Sequence, residues 1–338
     1  MKTKVYFCIL AALSLAACRG VDSEEAERLS LVPENLSEIE TAFPGQLLLS
    51  RDYLLWTDPF HADNYVHIVG KASKKELGKM LPVGQGPDEM MHPDVAVLPG
   101  NCLLAYEVGG SKCFKLSVDS ALAGKNDILE RMENPHNMAT RIVPVVDSTY
   151  IYCDLDKPSP FVYADGLRDS LQAFGSFPFK GEITNRWAVF QGAAAYNPAR
   201  RTFVYAMFAL PYMAAYVLNT EGKFEISKSR LPKTGYRVVD GKFKYDGPQA
   251  GVRELALTKD YVVTIERDRL HDATDEKRVG RNLKKLPHTV FVYDYKLKLL
   301  KIIDLGVPLI RLASNLDNND LYFICVNPEY EIAKVSLK

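Results

Sequence analysis

Short apolar runs separated by turn residues dominate the sequence. The runs are rich in β-branched and aromatic side chains and are bounded by Gly, Pro, Asn or Asp; examples are 46–56, 102–107, 149–153, 261–266, 289–293 and 321–326. This pattern predicts many short strands rather than helices. A 3.6-residue period is weak throughout, and the only helical candidates are 77–80 and 120–131. We therefore predict an all-β protein.

The longest apolar run, 203–218, superficially resembles a membrane span. Its sixteen residues fall short of the roughly 20 that a membrane-spanning helix needs. Pro211 lies near the middle of the run and would break such a helix. The run instead predicts two buried strands joined by a turn near 210–211.

A repeated unit of two or three apolar strands, with Gly, Asp or Asn at the turn, recurs along the chain. The units begin at Asp94, Arg141, Gln191, Arg253 and Arg311, so successive starts lie 47, 50, 62 and 58 residues apart. Four-stranded propeller blades repeat at about 40–50 residues, and the two long intervals contain insertions. With an opening unit over 46–81 and a closing strand available at 36–41, we predict a six-bladed β-propeller. Seven blades are the alternative.

The sharpest motif lies just before the second unit and consists of Gly84, Gly86, Pro87 and Glu89. We expect the glycines to adopt positive φ and the proline to fix a tight crossover. A Gly-x-Gly-Pro-x-Glu turn that leads into an innermost strand resembles the blade junction of NHL-type and TolB-like six-bladed propellers. The whole chain looks like the TolB-like propeller lipoproteins of Gram-negative gut anaerobes. The resemblance implies a fold more than a function.

The N-terminus has the composition of a secretory signal. Lys2 and Lys4 precede an apolar core over 5–13, and the small residues Ala16 and Ala17 precede Cys18. This ending resembles the lipobox of bacterial lipoproteins, in which the Cys is diacylated and becomes the new N-terminus. We expect a signal peptide over 1–17, a lipidated Cys18 with a flexible acidic tether over 18–35, and the propeller over 36–338. The resemblance implies an outer-membrane lipoprotein facing the periplasm or the exterior.

Charge and cysteine content exclude several classes of protein. Without Lys2 and Lys4 the chain has 40 basic and 42 acidic residues, so no basic footprint for nucleic acid is expected. The remaining cysteines, Cys102, Cys113, Cys153 and Cys325, are too scattered for a zinc site or a disulfide framework. A tight turn at 109–110 would place Cys113 opposite Tyr106, out of register with Cys102. We expect four free thiols.

No catalytic, metal or cofactor motif is present. The six histidines are scattered, and neither a Gly-x-Ser-x-Gly elbow nor a His-Glu-x-x-His pair occurs. The acidic segment 316–320 lacks the final Glu of a calcium loop and predicts a hairpin turn. The 84–86 glycines are followed by a strand, whereas a phosphate cradle opens a helix. We therefore predict no catalytic residue, metal or cofactor.

Polar residues recur at one register of the predicted blades. Asp94, Arg141, Gln191 and Arg311 each lie six residues before the turn residue of their unit, and Arg253 lies seven before Asp260. Because the innermost strands of a propeller surround its channel, these five should ring one channel mouth, with Trp187 at its rim. Three guanidiniums there suit a carboxylate, a phosphate or a sulfated sugar. The alternative is that they satisfy exposed strand ends and channel water.

Two classes of function follow from this pattern. One is a non-catalytic binding or scaffold lipoprotein that holds a glycan, peptide or envelope partner on one propeller face. The alternative is a channel-site hydrolase or lyase of the lactonase or cyclotransferase kind. We expect a monomer whose only membrane contact is the lipid anchor.

Overall fold

Six small antiparallel sheets form a closed ring in the computed structural model, which describes residues 26–61, 63–133, 141–146, 148–166, 169–231, 236–245, 251–266, 283 and 286–338. Each innermost strand contacts the innermost strands of the preceding and following sheets, and the last contacts the first. The prediction of a six-bladed β-propeller is confirmed.

The strands follow one another in a regular order. The chain begins with β1 (Glu27–Ser30) and β2 (Glu34–Glu38). From the channel outward, blade 1 contains β3 (Leu47–Leu49), β4 (Tyr53–Thr57), β5 (Asn64–Gly70) and β6 (Glu76–Pro82). Blade 2 contains β7 (Pro93–Leu98), β8 (Cys102–Glu107), β9 (Lys112–Ser117) and β10 (Ile128–Glu133), with α1 (Val118–Leu122) between the last two. Blade 3 contains β11 (Ile142–Pro144), β12 (Thr149–Cys153), β13 (Phe161–Asp165) and β14 (Asp169–Phe174).

The second half repeats this order with two additions. The helix α2 (Arg186–Val189) precedes blade 4, which contains β15 (Gly192–Asn197), β16 (Thr202–Met207), β17 (Met213–Leu218) and β18 (Phe224–Arg230). A separate hairpin follows, formed by β19 (Tyr236–Val239) and β20 (Lys242–Tyr245). Blade 5 contains β21 (Glu254–Leu257), β22 (Val262–Ile265), β23 (Thr289–Tyr293) and β24 (Leu299–Asp304), and blade 6 contains β25 (Leu309–Ser314), β26 (Asp320–Val326), β27 (Tyr330–Ser336) and β2.

The apolar runs are explained by burial of both faces of each sheet. A hydrophobic cluster lies at each of the six junctions between neighbouring blades. The middle strands are therefore buried on both sides, and every residue of β16 is buried. The predicted hairpin in 203–218 is confirmed, since β16 and β17 pair and Pro211 lies in the turn between them.

Strands from opposite ends of the chain close the ring. The N-terminal strand β2 pairs antiparallel with the C-terminal β27, with Glu34 opposite Lys334, and forms the outer edge of blade 6. The Asn35 amide also donates a hydrogen bond to Glu331 of β27. The closing strand therefore lies where the sequence predicted it, shifted two residues toward the N-terminus.

The segment before β2 differs from the predicted tether over 18–35. Residues Glu27–Ser30 form β1, which pairs in parallel with β24 as a fifth strand of blade 5. Leu29 and Leu31 pack against the cluster between blades 5 and 6. The acidic composition of this segment predicted a solvated chain. The segment pairs instead with the edge of β24, and that edge is formed by the fold and cannot be recognised in the local sequence. Cys18 and the leader lie outside the described residues.

The first long interval contains an insertion, as predicted, whereas the helical candidates have a different structure from the one the sequence suggested. The first long interval contains the β19–β20 hairpin rather than a seventh blade. Residues 77–80 lie within β6, and the 120–131 candidate is divided between the end of α1 and the start of β10. Segment 316–320 connects β25 and β26, as predicted. No described helix is long and apolar enough to cross a membrane.

The 84–90 junction leads into β7 as expected, but its glycines serve another purpose. Neither Gly84 nor Gly86 has positive φ, so that prediction was wrong. A Cβ on Gly84 would lie 1.9 Å from the Glu89 carboxylate. That carboxylate accepts a 2.8 Å hydrogen bond from the Gly86 amide, and Lys112 Nζ donates to the Gly86 carbonyl at 2.7 Å. The glycines leave room for Glu89.

The four described cysteines are free. Cys113 lies opposite Tyr106 in the β8–β9 pair, as the turn predicted. Burial raises the pKa of the Cys113 thiol to about 12, so this thiol is protonated and unreactive at neutral pH.

One buried histidine lies at the junction of blades 1 and 6. The His67 side chain is 3% exposed and its ring stacks on Trp56, with 3.9 Å between centroids. Its Nδ1 lies 2.9 Å from Glu76 Oε2, whereas its Nε2 has no hydrogen-bond partner. Burial lowers the pKa of His67, and the Glu76 carboxylate only partly opposes this shift.

We expect docking of β1 to contribute measurably to stability. Leu29→Asp places a charge in the cluster between blades 5 and 6 and should lower the free energy of unfolding by about 2 kcal/mol. The control Val32→Asp changes a side chain that is 94% exposed and should cost less than about 0.5 kcal/mol. Urea denaturation measures both. Equal effects would contradict the docking of β1.

We expect His67 to make the protein less stable in mild acid. Because its pKa is lower in the folded state, the unfolded chain takes up a proton first as the pH falls through 6.5. The free energy of unfolding should then fall until the pH passes the pKa of His67 in the folded state. The total loss should be about 1.4 kcal/mol for each unit by which the unfolded-state and folded-state pKa values differ. Denaturation between pH 8 and pH 5 should show this loss for the native chain and for the exposed control His92→Gln. The His67→Gln variant should lose less stability between pH 8 and pH 5. If it loses as much as the native chain, His67 is not the cause of the acid sensitivity.

Candidate functional site

A continuous cavity of about 1100 Å³ runs along the ring axis, lined by the innermost strands of all six blades. We call the end at which these strands begin the upper mouth, and the end at which they finish the lower mouth. The cavity is polar at both ends, and apolar residues of the strands line its middle.

The structure places all six sequence-predicted site residues at the upper mouth. Four of them line the central cavity: Asp94, Arg141, Arg253 and Arg311. Gln191 and Trp187 line a smaller pocket of about 210 Å³ at the same mouth. Arg141 lines both spaces, so it lies where the small pocket meets the channel.

Arg311 is fully engaged in holding blades together. Its guanidinium forms an ion pair with Glu254 at 3.0 Å between Nη1 and Oε1, and donates to the carbonyls of Pro44, at 3.1 Å, and Gly45. It thus connects blade 6 to blade 5 and to the segment that enters blade 1. Arg311 therefore satisfies backbone groups and connects blades, which is the alternative given above for these polar residues.

Glu254 is a channel residue that the sequence reasoning missed. It lines the central cavity together with Arg311, and burial raises the pKa of its carboxyl while Arg311 and Arg141 oppose the shift. A strict register would have found it, because Glu254 lies six residues before Asp260 whereas Arg253 lies seven before it. The same rule finds Gln46, six residues before Asp52, which accepts a 3.0 Å hydrogen bond from the Val95 amide.

Asp94 is connected to the next blade through a buried tyrosine. The Tyr106 hydroxyl donates to Asp94 Oδ2 at 3.3 Å and accepts from the Ile142 amide at 2.8 Å. Burial raises the pKa of Tyr106 well above its usual value, and the Asp94 charge adds to the shift. The phenol therefore stays protonated and links blades 2 and 3.

Arg141 differs from Arg311 in forming no ion pair and no hydrogen bond to a carbonyl within the described part of the chain. Its Nε atom is buried without a hydrogen-bond partner. Burial lowers its pKa, but Asp94, Tyr106 and Glu254 raise it by more, so the guanidinium remains charged. Among the described residues no carboxylate lies within 4.0 Å of it as an ion pair. A planar fork of donors is thus available to a ligand.

Three exposed apolar side chains surround the small pocket. Trp187 is 42% exposed, Phe208 37% and Val108 42%, and they come from three separate upper-mouth segments. The neighbouring Arg186 fixes α2 by donating to the Lys157 carbonyl at 2.7 Å and by lying over the Phe190 ring. Trp187 is therefore a partly exposed wall of the pocket rather than a packed junction residue.

Polar residues at the lower mouth are occupied in connections between blades. Asn101 of blade 2 accepts from Ser50 at 2.6 Å and donates to Asp52 at 3.0 Å, both on blade 1. Asn197 of blade 4 donates to the Thr258 carbonyl of blade 5 at 3.0 Å. Because these polar side chains are used in contacts between blades, we take the upper mouth as the candidate site. Within the described ranges, no cluster of three or more His, Cys, Asp or Glu side chains is suited to a metal ion.

Comparisons with known proteins show the fold. No protein family model matches the chain, and no curated protein matches it significantly in sequence. Among solved structures, a protein from Bacteroides fragilis that is described as exported has a TM-score of 0.56 at 11% identity, over 93% of this chain and 99% of its own. A DUF4221 family member from Bacteroides vulgatus gives 0.53 at 11% identity, over 90% and 95%.

A third solved structure is also similar in fold. The β-propeller domain of Myceliophthora thermophila Cps50 (Swd1) has a TM-score of 0.54 at 11% identity, over 90% of this chain and 100% of that domain. At such identities the likeness concerns the arrangement of strands alone. The chain is a six-bladed β-propeller that resembles these solved structures in fold.

Proposed function

We propose that this protein is an exported, lipid-anchored β-propeller that binds an anionic ligand at its upper mouth without transforming it. The observation that carries the proposal is Arg141, a charged guanidinium with a buried, unpartnered Nε atom beside an open cavity. Buried polar groups are nearly always hydrogen-bonded. A ligand anion would supply the missing partner.

The surroundings of Arg141 favour a strong interaction with such an anion. Guanidinium-to-anion hydrogen bonds are short and roughly twice as strong as neutral ones. The walls of a narrow cavity exclude part of the water and strengthen the attraction further. Arg253 lines the same cavity and adds positive charge.

The proposed location rests on the N-terminus and on the fold neighbours. The Ala16-Ala17-Cys18 sequence has the lipobox form, and a Bacteroides fragilis neighbour is described as exported. The sequence of the 84–90 junction resembles that of the TolB-like and NHL-type propellers. Together these features support an outer-membrane lipoprotein.

The position of β1 suggests how such an anchor would orient the domain. β1 runs parallel to β24, from the lower end of blade 5 toward the upper end. Ala26, which precedes it, packs in the cluster with Leu316 of the lower mouth. Eight Cα-to-Cα steps lead from Cys18 to Ala26, so the lipid would lie within about 30 Å of the lower end. The upper mouth would then face away from the membrane.

A hydrolase or lyase is the second candidate, favoured by the raised pKa of Glu254 in the channel. A raised carboxyl pKa is typical of a general acid. However, Glu254 is paired with Arg311, and Asp94 accepts from Tyr106. Both carboxylates are thus used in blade contacts, which favours binding over catalysis.

We expect Arg141→Gln to weaken anion binding at least tenfold, since a charge-assisted hydrogen bond contributes about 1.5–3 kcal/mol. Calorimetric titration with sodium glucuronate, phosphate and sulfate measures the binding. Arg141→Lys should retain part of it, because the charge remains and the fork is lost. The melting temperature of both variants should change little.

Arg311→Gln is the matched control from the same register. It removes the ion pair to Glu254 and the contacts to blade 1, and should lower the free energy of unfolding by about 3 kcal/mol. If Arg141→Gln instead unfolds the protein as strongly, Arg141 is a structural residue. If none of the three anions binds the native chain, the proposed function is wrong.

We expect Cys18→Ala to abolish lipid attachment. Cells that express the variant should incorporate no labelled palmitate into the protein, and the protein should leave the membrane fraction because one lost anchor removes most of the membrane affinity. The control Cys102→Ala changes a described free cysteine and should leave labelling intact. Labelling that persists in Cys18→Ala would contradict the anchor.

A further inference from the structure

We infer that the small pocket at the upper mouth binds one acidic sugar ring, a hexuronic acid at the end of a glycan chain. The inference rests on the proposed function and names its ligand class. It follows from the size of the pocket, its aromatic walls and the charge that Arg141 can neutralise.

The size of the pocket limits the ligand to a single ring. Its volume of about 210 Å³ equals that of roughly seven water molecules, below the range of about 300–1,000 Å³ typical of drug-sized ligand pockets. One sugar ring fits this space, whereas a folded partner or several rings would not. The remainder of a longer glycan would extend from the mouth into solvent.

The walls favour a ring with apolar faces. Trp187 and Phe208 remain exposed at the pocket while Trp56, the other tryptophan, is 1% exposed. Exposed apolar side chains gathered around a cavity mark ligand sites. Pyranose rings present C–H groups on their faces and hydroxyls on their edges, so their faces pack on aromatic rings while the edges need polar partners. Gln191 offers both a donor and an acceptor for such an edge.

The charge balance favours a monoanionic carboxylate over a phosphate or a sulfate ester cluster. Arg311 is neutralised by Glu254, so Arg141 is the guanidinium at the pocket without an ion-pair partner among the described residues. Asp94 and Glu254 both act on Arg141 electrostatically and would repel a second negative charge. One carboxylate therefore matches one guanidinium, and the pair can form two parallel hydrogen bonds.

The position of Arg141 fixes the direction of binding. Because it lines both the small pocket and the central cavity, the carboxylate points toward the channel and the ring lies between Trp187 and Phe208. The linkage to the next sugar then faces the open mouth. The site recognises a chain end.

The two tryptophans allow a direct test by intrinsic fluorescence. Trp56 is buried on His67, so a change on adding methyl glucuronide should come from Trp187. Methyl glucoside is the matched neutral probe, since it differs only at C6, where a hydroxymethyl group replaces the carboxylate. We expect saturable quenching by methyl glucuronide, and at least tenfold weaker binding of methyl glucoside.

Variants separate the contributions of ring and charge. Trp187→Phe should remove the fluorescence change but keep most of the binding seen by calorimetry, and Trp187→Ala should weaken binding at least tenfold. Arg141→Gln should reduce the preference for the acid over the neutral sugar to about one. Phe60→Ala, an aromatic that is 61% exposed on a blade 1 turn at the same end, should change neither quantity.

The outcomes distinguish this inference from the proposed function. Phosphate or sulfate binding that depends on Arg141, without any effect of Trp187→Ala, would overturn the sugar assignment and leave the anion site standing. Binding of N-acetyl-glycyl-phenylalanine in preference to methyl glucuronide would replace the sugar with a peptide C-terminus. Absence of binding by every anion would overturn both.

Discussion

The structure depends on one requirement, that each sheet must bury both of its faces against a neighbouring sheet. A hydrophobic cluster occupies each of the six junctions, so no blade has a finished core of its own. Ring closure by β2 and β27 is therefore part of the core, because it lets blade 6 pack on blade 1. Without closure, Trp56 and Ile310 at that junction would face water.

Packing around a ring also creates the channel and its chemistry. The innermost strands begin together at the upper mouth, and their polar residues connect adjacent blades there: Gln46 to Val95, Tyr106 to Ile142, and Arg311 to Gly45. Arg141 has the same register but lacks such a connection at Nε. Residues of the same register thus differ in how far the contacts between blades satisfy their polar atoms.

The two mouths consequently have different roles. Asparagines and serines at the lower mouth complete turns and connect blades, while the upper mouth combines a guanidinium whose Nε atom has no hydrogen-bond partner with exposed aromatic side chains. β1 begins at the lower end, so the N-terminal segment arrives on the side opposite the pocket. The described N-terminal segment and the small pocket therefore lie at opposite ends of the channel.

The sequence by itself determined the blade repeat, with six blades favoured over seven, the approximate position of the closing strand and most of the polar residues at the upper mouth. Strand periodicity and turn spacing are local properties, and matched offsets within a repeat give matched positions in a ring. A strict offset would also have included Gln46 and Glu254. Only the tertiary structure decided that Arg311 is engaged whereas Arg141 is not, that Gly84 makes room for Glu89, and that β1 docks on blade 5. These outcomes depend on which residues meet across the ring, such as Arg311 and Gly45. Contacts between such distant parts of the chain exist only after all six sheets have packed.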